Sequence, residues 1–490
     1  MKSSLLKPED KNILKQVYRC ALKNKVTLYL VGGYLRDIFL GRRKENPDID
    51  FCIAKNAVRF GRKTAKQLGA GFVVLDRAHG TSRAVKKVKD KFYTLDFTDF
   101  RGKDLKDDLL HRDFTINAFA LELAQVFKAK EAEVLDPHQG IKDLKSKVIR
   151  IVNPKAFDED PLRILRAFSM AAIFDFKIEK QTLQLAARKR KKLSAVSFER
   201  VREEIFKILD TPYAFKYFSL MDNLGILEII FPEINVTRHV EQGPYHHLDV
   251  WQHSLETLRQ LEMALKDFSG NKDITGYLNE NISGERKRRA LIKLAALLHD
   301  IGKPQAMRRE EGKLKFHGHE RVGFNIADGI ATRLKLSNGE SEALKKIILW
   351  HLRPGYLSDS KHLSQRAIFR YFRDTGEEAV STLLVSLGDQ RSTKGPLTSK
   401  ESRQAHEKLV SRLLKENFRR KKEKKLTRLI TGDDLIKKFK LQPSPLIGKI
   451  LSDLEELQAI GKIRARKEAF LAVKDILRKS KGVILENKKY

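Results

Sequence analysis

Leu30-Val-Gly-Gly-Tyr-Leu-Arg-Asp37, followed by Asp48-Ile-Asp50, is the stretch on which the reading of this chain turns. Thr27 to Val31 has the pattern of a short strand, and it runs into Gly32-Gly33 and then a helix. Glycine has no Cβ to hold a ligand away from the backbone. A helix N-terminus offers unpaired amides and the positive end of its dipole, so this turn suits a triphosphate. Arg36 falls in the first turn of the helix, within reach of such phosphates. Around the two carboxylates, Ile49, Phe51 and Ile53 alternate with Asp50 and Cys52, which predicts a strand. Side chains two apart on a strand share a face, so Asp48 and Asp50 point the same way. Mg2+ takes hard oxygen ligands, commonly one or two carboxylates beside substrate phosphates. Two such ions would activate a 3′-hydroxyl and steady a leaving pyrophosphate. An isolated Asp-x-Asp after Asn46-Pro47 would read as a solvated acidic turn; the Gly-Gly element upstream is what favours the metal site.

Working outward, Phe72 to Leu75 and Phe92 to Phe97 are further strand candidates, and residues 1–148 form an α+β head of mixed strands and helices. From Pro161 the apolar spacing is helical almost to the end, so an all-α remainder is expected. Gly243-Pro244 and Asn271 to Gly284 read as loops, and the basic run near 420 as a linker or hinge. A chain of 490 residues is too long for one core and implies several units. The division expected is a head at 1–148, a helical neck at 149–215, a third domain at 216–400 and a basic helical tail at 401–490.

Lys and Arg number 98 against 63 Asp and Glu, a net charge of +35 that favours a polyanionic partner through counterion release. Arg188 to Lys192 is an unbroken basic run, and Arg419 to Lys425 is basic around a single Glu. No run of apolar residues is long enough to span a membrane, and Met1 to Ile13 lacks the apolar core of a signal peptide, so a cytoplasmic protein is expected. Cys20 and Cys52 have no metal-type spacing and read as reduced packing residues.

Two later constellations carry chemistry. Phe157 to Ala167 reads Phe-Asp-Glu-Asp-Pro-Leu-Arg-Ile-Leu-Arg-Ala. On a helix Asp160 and Arg163, three apart, would point the same way, with Pro161 in the first turn. An acceptor beside a donor matches the Watson–Crick edge of cytosine, tolerates adenine, and rejects uracil and guanine, which carry a carbonyl where the amine should be. By this chemistry alone an ordinary helix salt bridge is the simpler reading. Further on, His253, His299-Asp300, His319, His351 and Asp389 recur through helical sequence, a donor set able to surround divalent ions.

Leu30 to Ile53 resembles the nucleotidyltransferase signature of the polymerase β superfamily, in the form of bacterial CCA-adding enzymes and poly(A) polymerases. The resemblance implies that Asp48 and Asp50 hold catalytic Mg2+ and that Gly32, Gly33 and Arg36 meet the nucleotide. Asp108 to Ala120 resembles the ribose-selecting motif, which assigns Arg112, Asp113 and Asn117 to the nucleotide. Relatives usually have Arg where this chain has His111. Asp96 is expected to be structural. Asp160, Arg163 and Arg166 fall in the family's nucleotide-selecting Glu-Asp-x-x-Arg motif, although Ser169 and Met170 replace its usual Arg and Phe. Ser197 to Ile205 resembles the next motif, with Arg200 and Glu204 expected to pair and brace the selecting helix.

The histidine–aspartate set looks like an HD phosphohydrolase domain. That implies His253, His299, Asp300 and Asp389 as ligands of a divalent transition metal, with His319 and His351 at a second ion or a phosphate. Leu429 to Leu451 resembles the tRNA-binding tail of HD-containing CCA-adding enzymes. Transfer of C, and of A in a complete CCA-adding enzyme, from CTP and ATP to a tRNA 3′ end is thereby implied, with no DNA partner. The short Arg101 to Leu110 connection resembles enzymes that add only CC. An A-adding enzyme or poly(A) polymerase is the alternative. An HD phosphohydrolase with an RNA-binding head, and a non-catalytic RNA-binding module, are the readings from other classes.

Overall fold

The structure, a computed structural model, describes residues 6–42, 44–129, 131–360, 362–423 and 427–486, with side chains described to residue 478. Met1 to Leu5, Lys424 and Lys425, which the sequence reading used, lie outside the described residues. The chain forms two compact units, one ending at Pro232 and one starting at Glu233.

In the first unit, helix α1 (Pro8–Lys23) precedes strand β1 (Tyr29–Val31), α2 (Gly32–Phe39), β2 (Asp48–Ile53), α3 (Ala57–Leu68), β3 (Gly71–Asp76), β4 (Thr81–Val88), β5 (Lys91–Asp99), α4 (Leu105–Leu110) and β6 (Ala120–Glu122). The six strands make one sheet in the order β3-β4-β5-β2-β1-β6. Only β2 and β5 run parallel, and α3 and the β3–β4 hairpin supply the crossover such a pair needs. Ile49, Phe51, Ile53, Leu95 and Phe97 alternate onto one face and are buried with Ile13, Leu14 and Val17 of α1 and Phe60 and Ala65 of α3. Phe51 and Phe97 stack there with ring centroids 5.2 Å apart. On the other face a smaller cluster of Val31, Cys52, Leu109 and Ala120 covers the β1–β6 end. The catalytic candidates lie on that face, where this cover stops.

The predicted strands are present in this sheet, and β4 and β6 are two that the pattern missed. Helices Arg163–Phe174, Lys180–Lys189, Phe198–Leu209, Ala214–Asn223 and Leu227–Ile230 complete the unit. Asp160 departs from expectation. It stands before the helix, not on it, with an extended backbone at φ −146 and ψ 100. The proline ring at 161 clashes with a helical conformation at the preceding residue, which explains the departure.

The second unit is helical apart from two short hairpins, Asn281–Ser283 with Arg286–Lys287 and Arg308–Glu310 with Lys313–Lys315. Its central helix, Arg288–Leu298, is buried from Ala290 to Leu298 without a break, and the helices that carry His253 and Asp389 and the one that ends at His351 pack against it. Two loop expectations are corrected. Within Asn271 to Gly284, Asn271 caps a helix Lys272–Asn279 by accepting from the Ile274 amide at 3.1 Å. Arg419 to Lys422 are not a linker: they finish the helix Lys400–Lys422. Glu416 accepts from Arg419 and Arg420 one turn on, which lets the crowded charges stay helical. The tail has its own core of Ile430, Leu435, Ile450, Leu454, Ile463 and Val473. Among the described residues no helix is long and apolar enough to cross a membrane.

Candidate active site

β1 ends where Gly32 takes φ +69, a conformation that costs an L side chain and not glycine. A Cβ at Gly32 would lie 2.8 Å from Asp50 Oδ2, so the turn is also sterically reserved. The Gly33 amide donates to Asp50. Asp48 and Asp50 do share a face, with Asp50 opposite Asp96 across the parallel β2–β5 ladder. Arg83 donates to both oxygens of Asp96 at 2.8 Å, which fits the structural role expected of it. Among the described residues Asp48 forms an ion pair only with the exposed Lys44, at 2.9 Å. Burial pushes the Asp50 carboxyl up to about 6 against the pull of Arg112, and Asp96 and Asp48 add to the rise. Carboxylates this crowded fit a divalent cation, which would relieve the same repulsion.

Behind Gly32-Gly33 opens a cavity of about 360 Å³, lined by Asp50, Arg101, Arg112, Asp113, Asn117, Asp160, Arg163, Arg166 and Arg200 among others. The sequence-predicted nucleotide residues line this cavity except Arg36, which with Asp48 lines an adjoining cavity of about 460 Å³ that Gly33, Asp50, Asn117 and Arg166 share. The Arg36 guanidinium donates to Asp37 and Asn117 and lies 4.5 Å over the Phe174 ring, so its donors are already engaged. Asp108 accepts from Arg112 and from the Arg101 amide. Asp113 accepts from Arg166 at 2.7 and 3.1 Å, from Asn117 at 2.9 Å and from the Phe114 amide. Against the effect of burial, these donors hold its carboxyl down at about 2.

Asp160 and Arg163 line the same cavity but do not pair with each other. Asp160 Oδ2 accepts from Arg200 at 2.7 Å. Arg163 donates to Glu159 and to the carbonyls of Ala156 and His111. His111 contributes that carbonyl, while its ring faces Glu159 at 2.9 Å. The expected Arg200–Glu204 pair is absent, since Arg200 reaches Asp160 and the buried Glu204 accepts from Ser169 and Lys207. Each braces the selecting segment separately. Basic residues of the 188–192 run are partly engaged within the unit: Lys189 and Lys192 meet Asp158.

In the second unit the histidines converge. His299, His319 and His351 each direct Nδ1 at the carbonyl three residues back, at 2.7–2.8 Å. A carbonyl only accepts, so Nδ1 carries a proton, and in the neutral ring Nε2 is the atom left to ligate. Those Nε2 atoms face Asp300 at 3.1, 3.2 and 3.7 Å, and His253 Nε2 lies 3.0 Å from Asp389. Among the described residues these three Nε2 atoms are buried without hydrogen-bond partners, Asp300 Oδ2 has the Lys303 ammonium at 2.7 Å, and overlapping sets of the six side chains have geometry for an ion. Groups so placed fit divalent metal, since an orphaned buried polar atom otherwise costs about 1–3 kcal/mol.

Several residues of both sites were missed from sequence. Arg101 lies in a turn with no local pattern to mark it. Lys303, three residues after Asp300, reaches it at 2.7 Å, a spacing that was readable. His246 packs edge-on against His253 at 4.7 Å; nothing in the sequence separates it from its neighbour His247.

Crowded carboxylates, glycine amides and arginines around one cavity make a place where a nucleoside triphosphate meets a metal, and the class so defined is a nucleotidyltransferase. Residues 28–150 match the Poly A polymerase head domain family and residues 250–371 the HD domain family. An A-adding tRNA nucleotidyltransferase of Deinococcus radiodurans is 30% identical over 90% of this chain and 93% of its own. A CC-adding tRNA nucleotidyltransferase of Thermus thermophilus is 28% identical over 90% and 91%. Among solved structures, a Thermotoga maritima CCA-adding enzyme complexed with tRNA has the same fold, with TM-score 0.64, 21% identity and 96% of each chain covered. The chain belongs to the tRNA nucleotidyltransferase family.

Proposed function

We propose that this enzyme adds C to tRNA 3′ ends from CTP and stops at CC. The observation that carries the end-point is the state of Arg101 to Leu110. It is no free loop: Asp104 caps α4 through the Asp107 amide, and Asp107 and Asp108 accept from the amides of Lys103 and Arg101. A pocket wall fixed in this way keeps one shape, hence one base preference. ATP is the second nucleotide only if the wall moves. The division of labour follows the four segments expected from sequence, with the work done in the cytoplasm.

Asp48 and Asp50 would hold Mg2+, whose chemistry when bound is to polarise the attacking 3′-hydroxyl and the phosphates. The Gly32-Gly33 turn brings amides against the triphosphate, and Arg36 fixes Asn117 for the sugar contact. Arg112 and Asp113 orient the ribose, with Arg166 holding Asp113 ionised. A cytosine entering the cavity exchanges the Asp160–Arg200 bond for one from its exocyclic amine, and Arg163 turns donors from Glu159 and the His111 carbonyl to the ring nitrogen and carbonyl. Arg200 and Glu204 support this segment. A second reading, a metal-dependent phosphohydrolase site at His253, His299, Asp300 and Asp389 with His319 and His351 at a second ion, is favoured by the orphaned ligand atoms. A transition metal suits imidazole donors.

The test is incorporation into tRNA lacking its 3′ end, with CTP, ATP or both, beside the Asp48→Ala variant. Two C residues from CTP, no A on a tRNA ending in CC, and no transfer by the variant are expected. Transfer of A to the CC end would replace the CC-adding reading with an A- or CCA-adding one.

A further inference from the structure

The carboxylate-bearing face of the head sheet is covered at the β1–β6 end and bare at the other. Residues opposite one another across the strands share a face. One row runs Val73, Arg83, Asp96, Asp50, and the next runs Val85, Thr94, Asp48. Beyond them Lys87 stands opposite Phe92. Val73 and Leu75 are each 48% exposed, Val85 37% and Phe92 46%. Val73, Val85 and Phe92 follow one another in successive rows on the open half of the catalytic face, while Leu75 falls at the register shift of β3 near Thr81, at the other end. The Lys87 ammonium sits 5.7 Å over the Phe92 ring. The Asn46 side chain accepts from the Phe92 amide at 2.9 Å, which anchors that end of β5 beside the start of β2.

Along β5 the same face carries Phe92, Thr94, Asp96 and Thr98. Thr98 lines the nucleotide cavity, so Phe92 is at the opposite end, with the carboxylates between. At about 3.3 Å per residue, Phe92 is about 13 Å from Asp96, the length of three or four stacked nucleotides at about 3.4 Å each. With the incoming nucleotide in the cavity, the acceptor must reach Asp48 and Asp50 from elsewhere.

We infer that the exposed β3–β4–β5 face is the track on which the single-stranded 3′ end of the acceptor RNA lies, with a base on Phe92 and the apolar floor of Val73 and Val85 beneath. Exposed aromatic and aliphatic side chains beside cations form a stacking platform for single strands. Charge selects this occupant over a second copy of the chain: Lys87 stands on this face beside Phe92 and Lys89 in the β4–β5 turn, whereas Lys86, opposite the buried Tyr93, and Lys91, paired with Glu9, belong to the other face; the cations beside Phe92 draw in an anionic strand. The inference rests on the transferase reading above.

Phe92→Ala and Val85→Glu test it in the full chain, with tRNA lacking its 3′ end and CTP as substrates. Both positions are exposed, so melting temperatures should match wild type. The KM for tRNA should rise about fivefold or more in each variant, with the KM for CTP unchanged, and Phe92→Trp should restore it. An unchanged KM for tRNA in both variants overturns the inference. So does conversion of a wild-type dimer to monomers by Val85→Glu, which would make the face a contact between copies. If wild type transferred no C, the parent reading would fail separately. Filter binding of the tRNA would still have to weaken about fivefold in both variants.

Discussion

Asp113→Asn isolates one ion pair on which the nucleotide cavity depends. Asp113 is 8% exposed, and Arg166, from the selecting helix, donates twice to its Oδ2. A carboxyl brought from an ordinary 3.8 to about 2 gains about 2 kcal/mol of folding stability at about 1.36 kcal/mol per pH unit. Breaking a buried pair can cost about 3–5 kcal/mol, but Arg166 is 38% exposed and can turn to water, so the lower figure applies. The variant should therefore melt roughly 4–10 °C below wild type at pH 7. Because the folded pKa is depressed, the stabilisation is complete above about pH 5. It is lost as pH falls from about 4 towards 2 and has about halved by pH 3. Calorimetry of the full chain would follow the transition that CTP shifts upward, since ligand raises only the unit that binds it. A gap between wild type and variant that is as large at pH 3 as at pH 7, or absent at pH 7, refutes the assignment of this energy to the pair.

Gly32→Ala should reduce transfer by about a hundredfold while costing only about 1–3 kcal/mol of stability, because the new Cβ displaces Asp50 Oδ2; a variant with wild-type kcat would show that the turn does not set the carboxylate. Asp50, pushed up to about 6 and neutral below that pH, should bind Mg2+ more weakly in acid, so the Mg2+ concentration for half-maximal transfer should rise about tenfold between pH 7 and pH 5. A flat Mg2+ requirement over that range contradicts it. His299→Ala removes one of the orphaned Nε2 atoms; metal analysis of purified protein should show bound transition metal lost with C addition retained, and loss of both would argue that the two sites are one system.

The carboxylate strand was legible because its alternation is strict: Ile49, Phe51 and Ile53 go to the core, so Asp48 and Asp50 must share the other side. β4 was not, because Arg83, Lys86 and Lys87 break the polar–apolar rhythm and its inward positions include Ser82 and Ala84, small residues that carry no hydrophobic signal. The histidine set was readable only through resemblance, since its members come from segments far apart in the chain and no local period connects them. Asp160 was misplaced because three-residue spacing was read as helical when Pro161 had already forbidden it. Arg200 and Glu204 were misjudged similarly. Spacing made them neighbours, but Glu204 is buried against Ser169 while Arg200 faces the cavity, and burial decides partners where spacing only permits them.

Charge matching separates the metal site from the rest of the cavity more sharply than any motif. Asp96 is held by Arg83, Asp108 by Arg112, Asp113 by Arg166, Glu159 by Arg163 and Asp160 by Arg200. Each has an arginine whose charge persists at any working pH. Asp48 has, among the described residues, only an exposed lysine, a contact worth little in water. Asp50, the most confined, has no ion pair within 4 Å among the described residues, and Arg112 nearby is already committed to Asp108. Under the proposed reading, a protein that brings arginines to these neighbouring acids and leaves Asp48 and Asp50 short of positive charge keeps the place for a cation that arrives with the nucleotide. The same comparison argues against Asp96, directly opposite Asp50 on the same face, as a further ligand, since Arg83 already neutralises its charge.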